Sequence, residues 1–434
     1  MADKAAETSI ERPYGWLVVI ASMAMVSMAF GAMYLSVVGM VPVSQEMGWP
    51  RSVPSLANGL NWAGAGIGGV LMGWFADRYG AGRSAIIGAL SLAAGCVLAG
   101  SMQGEWSLYA SHLLLLGIFG KGALMVPLLS NATRWFDRNR GFALAVVGSG
   151  QSIAGMLLPP LFRYAMDEAG WRSVMIGYGI ACLAVILPLS LLLRRPAPVS
   201  VSASEPQPTP LPITLPGDDA VAFVRRAVPS LHLLHALLCL AIIGCCVAMA
   251  MPIVHLMSHA IDLGFSAARG AEMLSLLLAG GFVSRLGFGL LADRIGGLRT
   301  ILIGSIGQAA TLSLFVWVDG LTGLYLSALA FGLAFGGLVT TYSLVAREVF
   351  PLGEVGWRIG VILLCGTLGM AGGGYLGGLV FDLAGSYRIA FLTGVGFNLV
   401  NLVIVLGLVF RMRPAVSGQG PSGKAVSGAV ERAS

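Results

Sequence analysis

The chain has 434 residues, of which 56% are hydrophobic and 11% are charged, with a formal net charge of +6. Soluble domains carry about 25% charged residues, so this composition excludes an ordinary soluble protein and predicts an integral membrane protein. The positive charge does not predict nucleic-acid binding, because membrane proteins collect Lys and Arg on one side of the bilayer. The six cysteines lie in apolar segments and show neither metal-ligand spacing nor a disulfide framework.

Twelve apolar segments are each long enough to span a bilayer, which takes about 20 residues. The first follows a polar N-terminus that lacks the basic-then-apolar order of a cleaved signal peptide, so we expect it to stay as an anchor. The predicted fold class is therefore all-α integral membrane, with twelve transmembrane helices. The segments are 15–43, 53–75, 83–102, 107–134, 141–164, 172–194, 231–259, 269–291, 298–318, 321–348, 357–381 and 387–410.

A stretch rich in proline, serine and charge separates the sixth segment from the seventh, which is typical of an extended, flexible linker. The predicted domains are an N-terminal six-helix bundle (1–194), a cytoplasmic linker (195–230), a C-terminal six-helix bundle (231–413) and a disordered cytoplasmic tail (414–434). Most Lys and Arg residues fall on the linker's side of the segments. This bias predicts a multi-pass protein of the cell membrane with both termini cytoplasmic.

A polar loop after the second segment returns after the eighth. Residues 73–83 (GWFADRYGAGR) and 289–299 (GLLADRIGGLR) share Gly, Ala, Asp, Arg, Gly and Arg at matching positions. The offset of 216 residues is about half the chain, which predicts two halves related by a parallel repeat. A carboxylate there can pair with an Arg and accept from a helix N-terminus, which predicts a contact that breaks when access alternates. The residues predicted to act in gating are Asp77, Arg78, Arg83, Asp293, Arg294 and Arg299.

Two basic residues fall near the middle of apolar segments, Lys121 in the fourth and Arg285 in the eighth. A charge at the bilayer centre costs on the order of 2.5–3.5 kcal/mol on insertion scales. All 20 acidic residues can be placed outside the apolar core, so we predict that an anionic substrate neutralises the two cations. Arg285 would hold a carboxylate through its planar fork, and Lys121 would support a second anionic or polar group. Bonds to backbone carbonyls at helix breaks, or a snorkelling Lys121, are the alternatives.

Three further residues are candidates for binding substrate. Tyr34 and Tyr375 can hydrogen-bond a carboxylate or hydroxyl, and His255, near the outer end of the seventh segment, can carry a coupled proton. Packing between helices is the alternative role for each of them. His255 and His259 have the spacing of two metal ligands, but no third ligand is visible, so neither a metal site nor a cofactor is predicted.

The twelve segments, the central linker and the doubled G-x-x-A-D-R-x-G-x-x-R loop resemble the major facilitator superfamily over nearly the whole chain. This resemblance implies two pseudo-symmetric six-helix bundles that alternate access by rocking. More narrowly, residues 13–16 (PYGW), 135–145 (WFDRNRGFALA) and 381–387 (FDLAGSY) resemble the monocarboxylate/oxalate porter families. Arg285 falls where these families keep their substrate arginine, and His255 falls where some bacterial members have a site histidine.

The chain also departs from those families. Animal members carry an aspartate four residues before the arginine, where this chain has Gly281. Their lysine lies in the first helix, whereas Lys121 lies in the fourth segment.

The predicted function is a secondary active or facilitative transporter of small organic anions, mono- or dicarboxylates, with protons as a candidate coupling ion. A multidrug or amphipathic-anion exporter of the same fold and a transporter-like anion sensor are the alternatives. The sequence has no Ser-His-Asp set, metal cluster or Walker-type loop to indicate an enzyme or an ATP-driven pump. The expected partners are the substrate and the lipid bilayer, without nucleic acid, and the expected state is a monomer.

Overall fold

The computed structural model describes residue 11 and residues 13–136, 139–195, 230–351 and 354–412. Except for its two end residues, the predicted linker lies outside these residues, as does the predicted tail. Within the described ranges all regular structure is helical. The twelve membrane helices are α1 (Pro13–Val38), α2 (Ser52–Tyr79), α3 (Ala81–Gly100), α4 (Glu105–Thr133), α5 and α6 (the parts of Arg140–Leu192 before and after Gly170), α7 (Leu231–Asp262), α8 (Ala267–Ile295), α9 (Gly297–Trp317), α10 (Leu321–Phe335 and Leu338–Val349), α11 (Val355–Ala384) and α12 (Tyr387–Arg411).

Length and composition alone identify ten helices in the described ranges that can cross a membrane. One of them, Gly141–Leu192, contains two crossings, because Gly170 lies inside it with φ 75° and turns the chain. The helix Ser52–Tyr79 is not among the ten, since it carries two asparagines, an aspartate and an arginine. It nevertheless packs between α4 and α11. Counting both corrections, the described ranges contain the twelve crossings predicted from the sequence.

Successive membrane helices run in opposite directions, which defines two faces of the molecule. The linker face carries the ends of α1, α6, α7 and α12 at Pro13, Leu192, Leu231 and Arg411. The far face carries the α1–α2 connection, in which a short helix, Met40–Met47, follows α1. Helices α1–α6 pack with one another, as do α7–α12, and the two halves meet where α2 packs on α11 and α5 packs on α8.

The repeated loop is a structural repeat as well as a sequence repeat. Gly80 ends α2 with φ 91° and ψ 147°, and Gly296 ends α8 with φ 84° and ψ 157°. Each donates its backbone N–H four residues back, to Ala76 at 2.8 Å and to Ala292 at 2.9 Å. Glycine adopts positive φ without steric cost, so both turns require the glycine that the two loops share.

Close backbone approach characterises the contact between α2 and α11. A Cβ added to Gly59 would lie 2.6 Å from the Ala371 carbonyl oxygen, and one added to Gly66 would lie 3.2 Å from the Thr367 side chain. We call this α2–α11 contact the glycine seam. Small residues let membrane helices approach closely. The glycine seam therefore joins the two halves by van der Waals packing of the α2 and α11 backbones.

Polar side chains hold the C-terminal half together internally. The Tyr342 hydroxyl donates to Asn401 Oδ1 at 2.7 Å, and Asn401 Nδ2 donates to Ser305 Oγ at 2.8 Å. Asn398 Nδ2 donates to the Ser305 carbonyl at 2.9 Å. These bonds join α9, α10 and α12 and satisfy groups that would otherwise be costly to bury, so this half is internally cross-linked.

Helix α4 is irregular in two places. Residues Ser111–Lys121 form a π-helix, which is rare and often marks a functional site, and Lys121 is its last residue. Further along, Pro127 has no N–H to give to the carbonyl four residues earlier. That carbonyl, of Ala123, instead accepts a 2.7 Å hydrogen bond from the Ser84 hydroxyl of α3.

Candidate functional site

Arg285 of α8 lies between the two halves and is only weakly bonded. Its Nη1 donates to the Gly148 carbonyl of α5 at 3.5 Å, and its Nε donates to the Gly336 carbonyl of α10 at 3.4 Å. Both distances exceed the usual 2.7–3.2 Å of an N–H···O bond. No described acidic side chain pairs with Arg285 within 4.0 Å, so most of its five donors are free to bind a ligand.

A break in α10 places one of those carbonyls beside the arginine. The helix stops at Phe335 and restarts at Leu338, with Gly336 and Gly337 between. Gly336 packs directly on the Gly281 backbone of α8, which leaves no space for a side chain there. In many transporter folds, discontinuous helices near the membrane midplane form the ligand site.

Tyr34 of α1 lies near Arg285. It is fully buried, and it interacts with the side chains of Gln151 and Arg285. A Cβ added to Gly155 of α5 would lie 2.9 Å from the Tyr34 hydroxyl oxygen. Helices α1, α5 and α8 therefore converge here and bring together a cation and a hydroxyl that could bind a carboxylate jointly.

Lys121 is surrounded by apolar and aromatic groups. Its side chain is 1% exposed, and its Nζ lies 3.7 Å from the Trp62 ring centroid, 5.1 Å from the Phe30 ring centroid and 3.7 Å from Met33 Sδ. Cation–π contacts contribute about 2 kcal/mol or more when desolvated, so the rings of α1 and α2 stabilise the ammonium. No described carboxylate pairs with it.

The two cations are linked through adjacent residues of α1. Met33 contacts Lys121, and its neighbour Tyr34 interacts electrostatically with Arg285. The repeat relates the helix of Lys121 to the broken helix beside Arg285. Helices α4 and α10 begin and end 216 residues apart, so Lys121, where the π-helix ends, corresponds to Gly337 in the break of α10. Both halves thus have an irregular helix at the same position.

His255 and Tyr375 lie away from Arg285. The His255 Nε2 pairs with the Gly374 carbonyl of α11 at 2.8 Å, and its ring stacks on Tyr387 with centroids 5.2 Å apart. His255 is seven residues from the far-face end of α7, whereas Arg285 is 18 residues from the far-face end of α8. At 1.5 Å per residue, about 16 Å of membrane depth separates them. Tyr375 of α11 lies near Tyr109 at the far-face end of α4.

The far face is closed by a group of side chains that we call the Arg51 cluster: Arg51, Asp262, Phe381, Asp382 and Tyr387. Arg51 Nη1 and Nη2 donate to Asp262 at 2.8 and 2.6 Å, and Nη1 donates to the Tyr387 hydroxyl at 3.1 Å. Its guanidinium carbon lies 4.4 Å from the Phe381 ring centroid. Asp382 accepts from the backbone N–H of Arg51 at 2.9 Å. The cluster therefore fastens the start of α2 to α7, α11 and α12 of the other half.

The described residues of the linker face form no comparable set of contacts between the halves. Asp77 accepts from Arg134 Nη2 at 2.7 Å, but both residues belong to the N-terminal half. The other predicted gating residues, Arg78, Arg83, Asp293, Arg294 and Arg299, are exposed. Among the described residues, the hydrogen bond between halves nearest the linker face is that of Arg285 to Gly148. The gating role of the repeated loops stays a prediction.

This arrangement is closed on one face, holds cations at the midplane and has an internal repeat. The profile of the Major Facilitator Superfamily matches residues 20–356 and 236–433. The chain belongs to the Major Facilitator Superfamily. This facilitator is therefore a multi-pass membrane transporter for a small molecule, and the fold predicted from the doubled loop is confirmed.

Relatives of this facilitator are named as monocarboxylate transporters. The chain is 24% identical over 407 residues to Monocarboxylate transporter 13 of Bos taurus, covering 91% of this chain and 89% of that protein. It is 25% identical over 419 residues to Monocarboxylate transporter 11 of Homo sapiens, covering 91% and 83%. A crystal structure of a mutant peptide transporter POT in complex with sulfate shares the fold, with TM-score 0.71, 14% identity and coverage of 92% and 95%. The predicted resemblance to the monocarboxylate porters is confirmed.

Two features of this facilitator's site were missed from the sequence. Trp62 and Phe30 contact Lys121, and Arg51 joins the halves, although in the sequence it lies in a short loop between two apolar segments. Trp62 follows Asn58 and Asn61 at helical spacing, which is a usable signal for a polar inward side of α2. In the described ranges no three His, Cys, Asp or Glu side chains converge to hold a metal ion.

Proposed function

We propose that this facilitator carries small organic anions, mono- or dicarboxylates, across the cell membrane by alternating access. Arg285 binds the carboxylate with its planar fork, and Tyr34 donates a hydrogen bond to it. Binding is favourable because the anion neutralises Arg285, a midplane cation that has no acidic partner among the described residues. The names of the monocarboxylate transporter relatives support the same substrate class.

The main support for this proposal is that the hydrogen bonds of Arg285 are weak. Its two bonds are long and end on carbonyls of opposite halves, so a bound anion would replace them with charge-assisted bonds to the same guanidinium. Because Gly148 and Gly336 belong to different halves, a ligand on Arg285 would loosen one of the bonds between them. Binding and rearrangement of the halves are thereby coupled.

Lys121 supports a second anionic or polar group of the substrate. Its ammonium has only ring and thioether contacts in the described part of the chain, and an anion close to Trp62 would satisfy it. We also propose that the linker face is cytoplasmic, that the transporter works as a monomer, and that protons are the coupling ion to test first.

Uptake into proteoliposomes tests the proposal. Labelled lactate and oxalate are presented to wild type, Arg285→Ala and Arg285→Lys, with and without an external acid pH. Losing a hydrogen-bonded buried charge partner costs about 2–5 kcal/mol, so we expect Arg285→Ala to lower uptake at least about 30-fold. Lysine keeps the charge but loses the fork, and we expect an intermediate loss. Arg388→Gln is the matched control, because Arg388 pairs with Asp319 on the far face within one half.

Each outcome separates the alternatives. Uptake that depends on Arg285 supports a carboxylate carrier, and its response to external acid distinguishes proton symport from uniport or exchange. Uptake that is equal in Arg285→Ala and wild type would sink the arginine site. Export of bulky, unrelated ligands that tolerates Arg285→Lys would favour the multidrug exporter, and binding without net flux would favour an anion sensor.

A further inference from the structure

Helix α2 has buried side-chain amides without hydrogen-bond partners. Both carboxamide atoms of Asn58 and the Oδ1 of Asn61 find no partner in the described part of the chain. The two residues are only 1% and 2% exposed. Buried side-chain amides are almost always paired, so two such groups three residues apart point to a ligand that pairs with them.

The asparagines face the interior of the transporter. The lipid side of α2 is marked by exposed Val70 and Trp74. Asn58, Asn61 and Trp62 have i, i+3, i+4 spacing, which places them on one side of the helix. Trp62 is the residue whose ring lies 3.7 Å from Lys121 Nζ, so the asparagines lie beside the lysine of the proposed substrate site.

Their depth places the asparagines between the far face and the midplane cations. Asn58 and Asn61 lie seven and ten residues along the chain from Arg51, about 10 and 15 Å into the membrane. Asn58 faces α11, where a Cβ added to Gly374 would lie 3.7 Å from its Oδ1. The amides therefore lie below the Arg51 cluster, at the boundary between the halves.

The amides differ chemically from the cations. Lys121 and Arg285 only donate hydrogen bonds, which suits a carboxylate. An asparagine amide has a carbonyl oxygen that must accept, and a carboxylate has no hydrogen to donate to it. A hydroxyl or a carboxamide on the substrate both donates and accepts, so it can satisfy these amides where a second carboxylate cannot.

We propose that Asn58 and Asn61 form a second subsite, which binds a neutral hydroxyl or carboxamide group of the carried carboxylate. The inference rests on the proposed function, since the anionic end of the substrate is held by the cations. It narrows the substrate class to carboxylates that bear a neutral hydrogen-bonding group. Such compounds are carried in preference to plain monocarboxylates and to dicarboxylates.

Three compounds with the same four-carbon chain test this preference. Butyrate has one carboxylate, succinate has two, and succinamate replaces the second carboxylate with a carboxamide. We expect wild type to take up succinamate about tenfold more efficiently than butyrate or succinate, because a site built for a polar group rejects analogues that lack it. In Asn58→Leu and Asn61→Leu we expect the preference for succinamate over butyrate to disappear.

Two further measurements separate a ligand subsite from a structural role. Leucine has nearly the shape of asparagine, and replacing an unpaired buried amide with it does not destabilise the fold, so both variants should melt at or above the wild-type temperature. Asn131→Leu is the matched control, because its Nδ2 is also buried without a described partner but lies near Asp77 and Arg134 at the linker face. It should keep the succinamate preference.

The results distinguish the two proposals. Wild-type uptake of butyrate and succinate equal to that of succinamate, or a preference that survives in both leucine variants, overturns the asparagine subsite while Arg285-dependent uptake still stands. Uptake of all three compounds that does not depend on Arg285 overturns the proposed function instead. If a leucine variant melts far below wild type, the asparagine holds the fold together and the subsite is refuted at that residue.

Discussion

Replacing Arg51 with glutamine is expected to open the far face. The substitution removes the paired bonds to Asp262, the bond to the Tyr387 hydroxyl and the stacking on Phe381. It leaves the backbone bond to Asp382, because that bond uses the main-chain N–H. The closed state therefore loses its largest set of polar contacts between the halves without losing the helix that carries them.

The energy lost in Arg51→Gln can be estimated from the solvent exposure of the Arg51 and Asp262 side chains. The side chains of Arg51 and Asp262 are 16% and 29% exposed, so solvent screening limits the pair to about 1 kcal/mol. The ring contact adds about 0.5–1 kcal/mol. A total of about 1.5–2 kcal/mol corresponds to a roughly 10- to 30-fold change in the ratio of far-face-open to far-face-closed molecules.

Pulsed electron–electron double resonance between two spin labels can measure this ratio of open to closed molecules directly. Spin labels at Gln103→Cys and Leu383→Cys, both exposed near the far face, report the separation of the halves once the partly exposed native cysteines are replaced. We expect Arg51→Gln to raise the long-distance population 10- to 30-fold relative to the short one. Arg388→Gln, which breaks an ion pair within one half, should leave the distribution unchanged. An unchanged distribution in Arg51→Gln would refute the assignment of the cluster as the far-face closure.

Three further changes test the packing. Ser84→Ala leaves the buried Ala123 carbonyl without its donor, so we expect a loss of about 1–3 kcal/mol, measured as a lower melting temperature in detergent. Glu46→Gln removes a carboxylate whose pKa is lowered by hydrogen bonds from Arg172 and a neighbouring tryptophan. That stabilisation exists above the usual pKa of 4.5 and is lost as pH falls through the lowered pKa, so the melting difference from wild type should be full at pH 7 and vanish in strong acid. Gly59→Val adds atoms that meet the α11 backbone, so the spin labels should report a more open far face.

The membrane topology could be predicted because it depends on local properties. The length of an apolar segment and the sequence of the doubled loop are both properties of consecutive residues. Both predictions agree with the structure, in which the shared glycines of the loop, Gly80 and Gly296, both have positive φ. Lys121 and Arg285 could be singled out by charge alone, because a midplane cation is conspicuous in an apolar segment.

Contacts between distant segments could not be predicted in this way. Arg51 resembles any loop arginine until the fold brings it to Asp262, 211 residues away. The aromatic rings around Lys121 belong to α1 and α2, which pack against the π-helical part of α4. The i→i+5 hydrogen bonds of a π-helix do not change the hydropathy of the segment, so the sequence does not reveal them. By contrast, the different depths of His255 and Arg285 could be predicted, because the sequence places His255 near the outer end of its apolar segment and Arg285 near the middle of its own.

The glycine seam has a mechanical consequence. Gly59 lies eight residues from Arg51 along the chain, a lever of about 12 Å at 1.5 Å per residue. If the cross-linked C-terminal half pivots about the seam, a tilt of about 15°, the scale of known rigid-body rotations between subunits, moves the far face by about 3 Å. That displacement roughly doubles the 2.6 Å between Arg51 and Asp262. Because Arg51 lies close to the glycine seam, a small tilt of one half about the seam is enough to break the contacts of the Arg51 cluster.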